Sequence, residues 1–448
     1  MDPIEVAYQS ALDYLYSFVD YSLTRSLRYS PEKFDLGRMV ELMAALGNPQ
    51  NQYPVIHVAG TKGKGSTSAM IANVLQTAGY KVGLYTSPHL IDFTERIQVN
   101  HEAVSHQRLA EIVDELKPEV EKIEKLTTFE LTTAAAFLHF AQEKVGIGVI
   151  EVGLGGRLDA TNVVDPLVSV ITSLSMDHMN VLGDTLEKIA AEKGGIIKPG
   201  KPVVVSAQKP EARRVLQRIA AERDAPIVFA DQKYEAVVKA HSLAGQEIEI
   251  IEKSKSDPQE PVVKFKLPLI GDHQVQNAVT AYCTLDLLRV AGYKISEADI
   301  QQGFETVSWP GRFEILQAKP MVVIDSAHNL DSAEKLADTV REYLPGKPVV
   351  LIFGASEDKD VSGMFAALTP VVQKIIVTQS VHPRSYDSAE LGSVAAKFGM
   401  PVEIYPQLET ALEQALVSVP QDGMVLITGS IFIAAGARQY WLEKKIAQ

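Results

Sequence analysis

The sequence has one cysteine, no long apolar run and a deficit of basic residues, and each shortage excludes a class of protein. Because Cys283 is the only cysteine, no disulfide can form within the chain, which is typical of a reducing compartment. No stretch of about 18 apolar residues occurs, so we expect no membrane-spanning helix. The first residues, MDPIE, are acidic and lack the charged-then-apolar pattern of a secretion signal. We therefore expect a soluble, cytoplasmic protein.

The charge balance argues against general binding to polyanions. Asp and Glu number 56 against 43 Lys and Arg, which gives a net charge of −13. Nonspecific binding to nucleic acid or to an anionic membrane needs a basic surface, so we expect neither partner. An anionic small ligand stays compatible with this charge, because a local glycine loop or basic cluster can override the global field.

The chain does have enough apolar residues to form complete hydrophobic cores. Its 448 residues are 46% apolar, and that length corresponds to roughly two or three domains. Neither an internal repeat nor a low-complexity tract interrupts it. Apolar strand patterns alternate with helical patterns over most of the length, which predicts parallel, doubly wound sheets.

The stretch VIHVAGTKGKGSTS, residues 55–68, predicts a phosphate-binding loop between a buried strand and a helix. Backbone N–H groups and the positive helix end would face an anion, and Lys64 adds a charge. The strict P-loop spacing is not met, because Gly60 lies only three residues before Gly63 and Gly65 separates Lys64 from the serine. An ordinary tight turn is the alternative. Three glycines and two lysines within six residues favour phosphate binding.

The pattern of apolar residues changes at two places, and these changes indicate how the chain divides into domains. In residues 234–270 polar and apolar side chains alternate, with no helical pattern between the alternating segments. This predicts a small patch of antiparallel β-strands. The sequence SWPGRFE at 308–314 has the Trp-Pro-Gly punctuation of a domain junction. We therefore predict an α/β protein. Residues 1–308 would form a P-loop domain with a doubly wound, mostly parallel sheet and the antiparallel patch, and residues 309–448 a Rossmann-like α/β domain.

Ser87, Glu151 and His178 each end or follow a predicted strand in the first domain. Ligands of open parallel sheets bind beyond the carboxyl ends of the strands, on the edge expected to carry the glycine loop. Oxygen and imidazole groups near phosphates suit Mg²⁺, which keeps several waters. Other interpretations stay open: Ser87 before a proline is equally a turn former, and His178 alone is more often a surface or capping residue. Glu151 in an apolar run is costly to bury without a metal or a basic partner.

Lys193 and the segment around it have two interpretations. The pattern alone favours a solvated lysine near a helix end, where the helix dipole attracts a cation. The stretch GLGGRLDATN, residues 153–162, would be either a loop over a ligand or a turn. Asp184 with Glu187 three residues later resembles a capping box at the start of the helix that carries Lys193.

The second domain offers its own polar residues after a strand. Asp325 and His328 follow the first predicted strand in IDSAHN, at a carboxyl end, from which they could face the glycine loop across a cleft. Arg312 in the junction could reach a phosphate with its charged fork or form a surface salt bridge.

Taken in order, these motifs resemble those of the folylpolyglutamate synthases, including the bifunctional forms that also make dihydrofolate, within the ATP-dependent Mur ligase superfamily. The resemblance covers nearly the whole chain, and the joint order and spacing of the motifs make it specific. It rests on GTKGKGS (60–66), TSPHL (86–90), ERIQVN (95–100), TTFELTTAAAF (127–137), EVGLGGRLDATN (151–162), DHMNVLGDTLEKIAAEKGGIIK (177–198), GDHQVQNA (271–278), WPGRFE (309–314), DSAHN (325–329), GASEDKD (354–360) and ITGS (427–430).

The resemblance implies a role for each matching residue, with Lys64, His178 and Lys193 as the catalytic group. Lys193 would be carbamylated and act as an acidic ligand near a second metal, which reverses the interpretation from pattern alone. The implied ATP-binding residues are Gly60, Thr61, Lys62, Gly63, Lys64, Gly65 and Ser66 around the phosphates, Asn277 at the adenine, Arg312 at a phosphate, and Asp325. The implied metal ligands are Ser87 and Glu151 for a first Mg²⁺ and His178 for the second, and the implied glutamate-side residues are His328 and Ser430.

Two positions depart from the family pattern. Lys62 stands where family members commonly have Asn, and its charge would touch a phosphate or be solvated. Gly194 stands where Ala is usual, which weakens the local helix slightly.

The activity that the resemblance implies is ATP-dependent ligation of L-glutamate to the carboxylate of a folate, or of dihydropteroate, through an acyl phosphate. We expect ATP and two Mg²⁺ ions at the site, these small molecules as substrates, and a monomer. A cell-wall Mur ligase is disfavoured, because only about fifty residues precede the loop strand where such enzymes usually carry a further domain. A P-loop kinase would leave the DSAHN domain unexplained, and a nucleotide switch lacks a guanine-reading Asn-Lys-x-Asp motif.

Overall fold

A computed structural model of the protein describes residues 2–19, 35–254 and 260–446, and the chain forms two compact units. An eight-stranded sheet and nearly all of a three-stranded sheet lie in the first unit and a six-stranded sheet in the second, and each unit has its own apolar cores. The first unit comprises residues 1–240, 246–268 and 274–307, and the second comprises residues 241–245, 269–273 and 308–448.

An eight-stranded sheet organises the first unit. Its strands are β1 (Val55–Ala59), β2 (Val82–Tyr85), β3 (Ile97–Val99), β4 (Glu102–Ala103), β5 (Ile147–Glu151), β6 (Val168–Ile171), β7 (Val203–Val205) and β8 (Ile227–Phe229). They lie in the order β4-β3-β2-β5-β1-β6-β7-β8. The pairs from β2 to β8 are parallel, whereas β3 and β4 form an antiparallel edge. Every residue of β1 and β5 is buried, as expected when helices cover both faces of a parallel sheet.

Helices pack on both faces of this sheet. In the described ranges the helices of the first unit are α1 (Pro3–Tyr16), α2 (Leu36–Ala45), α3 (Lys64–Thr77), α4 (His106–Val120), α5 (Thr128–Gln142), α6 (Met179–Leu182), α7 (Leu186–Gly194), α8 (Pro210–Glu222), α9 (Ala230–Lys233), α10 (Asp272–Val290) and α11 (Glu297–Glu305). One core packs α1, α2, α4 and α5 against β1, β2 and β5, and another packs α7 and α8 against β6 and β7. The two cores lie side by side on one face of the sheet, because Val55 of the first and Ala59 of the second point to the same side of β1.

The predicted antiparallel patch is present, and all of it except residues 241–245 belongs to the first unit. Its strands are β9 (Tyr234–Ser242), β10 (Gly245–Glu252) and β11 (Val263–Leu267), in the order β11-β10-β9. β10 and β11 pair antiparallel, and β11 alternates buried and exposed residues, as the sequence pattern indicated.

The second unit contains a six-stranded sheet with helices. Its strands are β12 (Glu314–Ala318), β13 (Met321–Ile324), β14 (Val349–Phe353), β15 (Lys374–Val377), β16 (Val402–Ile404) and β17 (Met424–Thr428), and its helices are α12 (Leu330–Tyr343), α13 (Val361–Leu368), α14 (Ser388–Ala395), α15 (Leu408–Ser418) and α16 (Ile431–Ile446). The order is β12-β13-β17-β14-β15-β16, parallel except for β12. The predicted fold class, two α/β parts with mostly parallel sheets, is confirmed.

Local details differ from the predictions in two ways. The edge strands β3, β4 and β12 were not predicted, because short antiparallel strands leave little apolar periodicity. The predicted capping box at Asp184 is wrong by one residue. Thr185 is the N-cap of α7 and accepts the N–H of Lys188, while the carboxylate of Asp184 pairs with the Lys188 ammonium at 2.8 Å. The helix therefore starts one residue later, with the Thr185 hydroxyl as the cap in place of the Asp184 carboxylate.

Candidate active site

Four neighbouring parallel strands bring the predicted residues of the first unit to one edge. β2, β5, β1 and β6 lie side by side, with Glu151 in register with Val58 and Ile171 in register with Ala59. The glycine loop therefore leaves the sheet between Glu151 on one side and the segment after β6 on the other. This is the edge at which ligands of parallel sheets bind.

The glycine loop is attached to the segment after β6. The N–H groups of Thr61 and Lys62 donate to the carbonyl of Ser173 at 2.9 and 3.1 Å, and Thr172 Oγ1 donates to the carbonyl of Lys62 at 2.7 Å. These two loop amides are thus used within the protein. The N–H groups of the first turn of α3 lack intrahelical acceptors, and Gly63 gives that helix no side-chain cap. The part of the loop suited to binding an anion is therefore the start of α3, at Lys64, Gly65 and Ser66.

Two glycines of the loop are required by close contacts. A Cβ at Gly60 would overlap Thr172 Oγ1, and one at Gly63, where φ is +84°, would overlap Asn277 Oδ1. Asn277 lies on α10 and donates to Gln274 Oε1 at 3.0 Å. The first unit thus brings Asn277 against the glycine loop, although more than 200 residues separate them in sequence.

Lys64, Glu151 and Ser87 meet beside the loop. Lys64 Nζ lies 3.8 Å from Glu151 Oε1, and the backbone N–H of Ser87 donates to Glu151 Oε2 at 3.3 Å. Glu151 is only 4% exposed, so its carboxylate depends on these partners. Lys64 is therefore the basic partner that the sequence led us to expect for Glu151.

The residues present fit Mg²⁺ at this edge. A buried carboxylate and a hydroxyl on adjacent strand ends supply hard oxygen donors, which Mg²⁺ prefers. Within the described ranges no group of three or more His, Cys, Asp and Glu side chains is arranged to hold a metal by itself. Such a small set suits an ion that keeps most of its waters and shares phosphate oxygens.

Lys193 is buried beside the loop and is not a solvated helix-end lysine. Its side chain is in the last turn of α7, the residue is 5% exposed, and Nζ donates to the carbonyl of Gly60 at 2.8 Å. Burial, reinforced by the charge of Lys64, lowers its pKa to about 7, against the opposing effect of Asp177 and Asp159. A substantial share of the amine is therefore neutral at neutral pH.

Lys62 forms an ion pair that neither of its sequence interpretations included. Its Nζ lies 3.2 Å from Asp177 Oδ2. Asp177 Oδ1 accepts the backbone N–H of His178 at 3.0 Å and lies 4.0 Å from His178 Nε2. His178 has a left-handed backbone, with φ of 50°. Lys62 therefore connects the glycine loop to His178 through one carboxylate.

The loop at 153–162 carries a buried carboxylate that sequence reasoning left without a role. Asp159 accepts hydrogen bonds from the N–H of Leu154 at 2.8 Å and from the N–H and hydroxyl of Thr161 at 3.0 and 2.5 Å. Burial raises the pKa of Asp159, while these donors and Lys64 lower it. His57 of β1, which sequence reasoning missed, contacts Thr161 Oγ1 at 2.8 Å. An Asp two residues before a Thr is a signal for such an Asx turn.

In the second unit, Arg312 and Asp325 lie close together. Asp325 is partly buried and accepts the N–H groups of Phe313 and Ala327 at 2.9 and 2.8 Å. Burial raises its pKa, and the charge of Arg312 and these two donors oppose the rise. Asp325 therefore holds the 312–313 segment against the end of β13.

His328 and Ser430 also follow strand ends of the second unit. The His328 ring nitrogen Nδ1 lies 2.9 Å from the carbonyl of Ser326, and Ser430 Oγ accepts the N–H of Ile433 at 3.2 Å near the start of α16. Ser326 Oγ is buried without a hydrogen-bond partner. These contacts give both residues local structural roles.

Over the part of the chain that is described, no helix has both the length and the apolar content needed to span a bilayer.

Comparisons with known proteins agree on one family. The profile of the Mur ligase middle domain matches residues 58–285, and that of the Mur ligase glutamate ligase domain matches residues 311–431. The chain is 36% identical over 439 residues to the dihydrofolate synthase/folylpolyglutamate synthase of Bacillus subtilis, covering 94% of this chain and 99% of that protein.

Solved structures agree with this result. The structure of Mycobacterium tuberculosis folylpolyglutamate synthase complexed with ADP and AMPPCP has a TM-score of 0.86 at 31% identity, covering 97% of this chain and 99% of that one. E. coli FolC in complex with DHPP and ADP has a TM-score of 0.84 at 30% identity and covers 98% of each chain. The chain therefore belongs to the Mur ligase family and, within it, to the folylpolyglutamate and dihydrofolate synthases, as the order of its motifs indicated.

Proposed function

We propose that this protein uses ATP to join the amine of L-glutamate to a carboxylate of a folate. The observation that carries the proposal is the meeting of the glycine loop, Lys64 and buried Glu151 at one sheet edge, in a chain of this family. Such an arrangement suits phosphoryl transfer, in which catalysis is mostly positioning and charge neutralisation. Dihydropteroate is a second acceptor, and the names of the relatives, which pair both activities, support it.

The reaction proceeds in two steps. A carboxylate oxygen of the folate attacks the γ-phosphorus of ATP, the bond to the β-phosphate oxygen breaks, and ADP leaves an acyl phosphate behind. The amine of L-glutamate then attacks the acyl carbon, the C–O bond to phosphate breaks, and the amine loses a proton as the amide forms. Lys64 stabilises the negative charge on the transferring phosphoryl group.

We assign the cation ligands to three residues. Ser87 and Glu151 would hold the first Mg²⁺ and His178 a second. When bound, the ions would supply positive charge to the phosphate oxygens. Glu151 is already oriented for this role by the N–H of Ser87 and the ammonium of Lys64.

We assign Lys193 as the site of a carbamate. Its neutral amine would attack the carbon of CO₂, an N–C bond would form, and a proton would be lost to solvent. The burial of Lys193 supports this assignment, because burial keeps the amine partly neutral near pH 7. The carbamate would replace a buried amine with a carboxylate-like group on the side of the loop that faces Asp177 and His178.

In this proposal the two parts of the chain have different roles. Residues 1–308 bind ATP, with Asn277 at the adenine, and residues 309–448 act as the glutamate-ligase part. Arg312 and Asp325 would act on the nucleotide, and His328 and Ser430 on glutamate. The match of residues 311–431 to a glutamate ligase profile supports this division.

ADP release measured with two acceptors in parallel tests the proposal. Tetrahydrofolate and dihydropteroate are each assayed with and without L-glutamate, and mass spectrometry identifies the product. We expect sustained ADP release only when an acceptor and L-glutamate are both present. Release with neither would indicate a nucleotide switch, release with a hydroxyl acceptor a kinase, and activity only on a nucleotide-linked sugar acid a cell-wall ligase.

A further inference from the structure

Lys62 is fixed to the segment after β6 through both its backbone N–H and its backbone carbonyl. Its N–H donates to the carbonyl of Ser173, and its own carbonyl accepts the hydroxyl of Thr172. The side chain therefore starts from a backbone that cannot turn independently toward a ligand. From there it extends to Asp177, four residues further along the same segment.

The ion pair between Lys62 and Asp177 is largely removed from water. The side chain of Lys62 is 18% exposed and that of Asp177 is 8% exposed. An exposed pair of this kind would contribute little. Removal of one partner from a buried pair leaves an uncompensated charge, so this pair constrains both segments.

Asp177 transmits this constraint to His178. One of its oxygens faces Lys62, and the other accepts the N–H of His178 and approaches the imidazole. A left-handed backbone is costly for a residue with a Cβ, so His178 needs partners that hold it there. A carboxylate beside the ring also sets the orientation of an imidazole ligand.

We propose that Lys62 is a positioning residue that couples the phosphate loop to His178 through Asp177. A nucleotide phosphate on the loop and a divalent cation at His178 then bind with mutual enhancement, because Lys62 and Asp177 fix the position of His178 relative to the loop. The proposal rests on the proposed function, since it takes His178 as a cation ligand and the loop as the phosphate site. It depends on the charge and the length of Lys62, because a neutral, shorter side chain cannot form the same ion pair.

Direct contact between Lys62 and a phosphate is the competing role. The ion pair argues against it, because the ammonium already has a buried carboxylate partner. A phosphate ligand would affect nucleotide binding without metal, whereas a positioning residue affects the cation and its coupling to the nucleotide. The two roles therefore differ in binding measurements that need no turnover.

The test measures two equilibria on the full chain. Binding of a fluorescent ATP analogue is measured in EDTA, and binding of Mn²⁺ is measured by electron paramagnetic resonance with and without AMPPCP. For Lys62→Met and Lys62→Asn we expect about a tenfold loss of Mn²⁺ affinity in the presence of AMPPCP. We expect metal-free nucleotide affinity to stay unchanged and Lys62→Arg to retain Mn²⁺ affinity. The double variant Lys62→Met/Asp177→Asn should be no weaker than Asp177→Asn alone.

Lys188→Met is the matched control, because Lys188 forms an exposed pair with Asp184 on α7. It should bind Mn²⁺ and nucleotide as the unaltered protein does, and a loss equal to that of Lys62→Met would overturn the inference. Weaker nucleotide binding in EDTA with unchanged Mn²⁺ affinity would make Lys62 a phosphate ligand instead. If the unaltered protein binds nucleotide and ligates glutamate but Lys62→Met and Lys62→Asn match it throughout, only the coupling fails. If the unaltered protein binds no nucleotide, the proposed function fails.

Discussion

Glu151 occupies a strand position that an apolar residue would normally fill. Its neighbours on β5 are Ile147, Val149 and Ile150, all fully buried. The carboxylate is tolerated there because Lys64 lies 3.8 Å away and the N–H of Ser87 donates to it. A charged pair retained in such a place at the edge of a sheet indicates function more than stability.

Lys64→Ala tests this pair directly. We expect the rate of ADP formation to fall by about 10²–10³-fold, because the variant removes the charge that stabilises the transferring phosphoryl group. Lys81→Ala is the control, since Lys81 forms an exposed pair with Glu143, and it should retain activity. Far-ultraviolet circular dichroism checks that both variants fold. Turnover by Lys64→Ala equal to that of the unaltered protein would contradict the role of the loop.

The lowered pKa of Lys193 leads us to predict that carbamate formation depends on pH. Its pKa is lowered from 10.5 to about 7, so the neutral amine that reacts with CO₂ increases as the pH rises through 7. We expect a carbamate resonance in ¹³C nuclear magnetic resonance with labelled bicarbonate that grows over that range. Lys193→Ala should lack this resonance, lose activity and regain part of it with a short free carboxylate. Absence of a Lys193-dependent resonance well above pH 7 would exclude the carbamate.

The loop at 153–162 and the end of α7 form one packed element. The N–H of Arg157 donates to the carbonyl of Glu192 at 2.8 Å, and Asn162 Nδ2 donates to the carbonyls of Arg157 and Gly195 at 3.0 and 3.4 Å. A Cβ at Gly156 would lie 2.9 Å from the carbonyl oxygen of Glu192. The loop thereby sets where α7 ends and where Lys193 stands.

Gly195→Ala tests this packing. The new Cβ would lie 2.5 Å from Arg157 Cα and 2.9 Å from its nitrogen, so backbone must move. We expect the free energy of unfolding in urea to fall by about 1–3 kcal/mol, with loss of ADP release. In the control Gly146→Ala, the Cβ would meet no atom closer than 3.6 Å. Equal stability of the two variants would show that the loop and α7 are not tightly packed.

The charge of the whole molecule bears on its association state. A net charge of −13 gives repulsion between copies and favours a monomer. We expect sedimentation velocity at moderate ionic strength to give a single species of 48.9 kDa. A concentration-dependent increase toward twice that mass would contradict the prediction.

Much of the first sheet and most of the candidate site could be predicted from strand ends. The apolar runs of β1 and β5 and the glycines between β1 and α3 are local signals, and the carboxyl ends of parallel strands meet at one edge. The short edge strands β3, β4 and β12 have no such signal. The cap of α7 was missed by one residue, because Asp184 and Thr185 are both good caps and only the folded backbone selects between them.

The sequence by itself determined the fold class, the glycine loop and the family, because alternating periodicity and motif order are properties of local sequence. Only the tertiary structure decided which distant side chains meet. Lys193 donates to Gly60 across 133 residues, and Lys62 pairs with Asp177 across 115. The Thr161 hydroxyl contacts both Asp159 and His57, and this contact likewise depends on the order of β5, β1 and β6. Periodicity gives the direction of a side chain on its own element, but contacts between elements follow from strand order and from the path of the loops between strands.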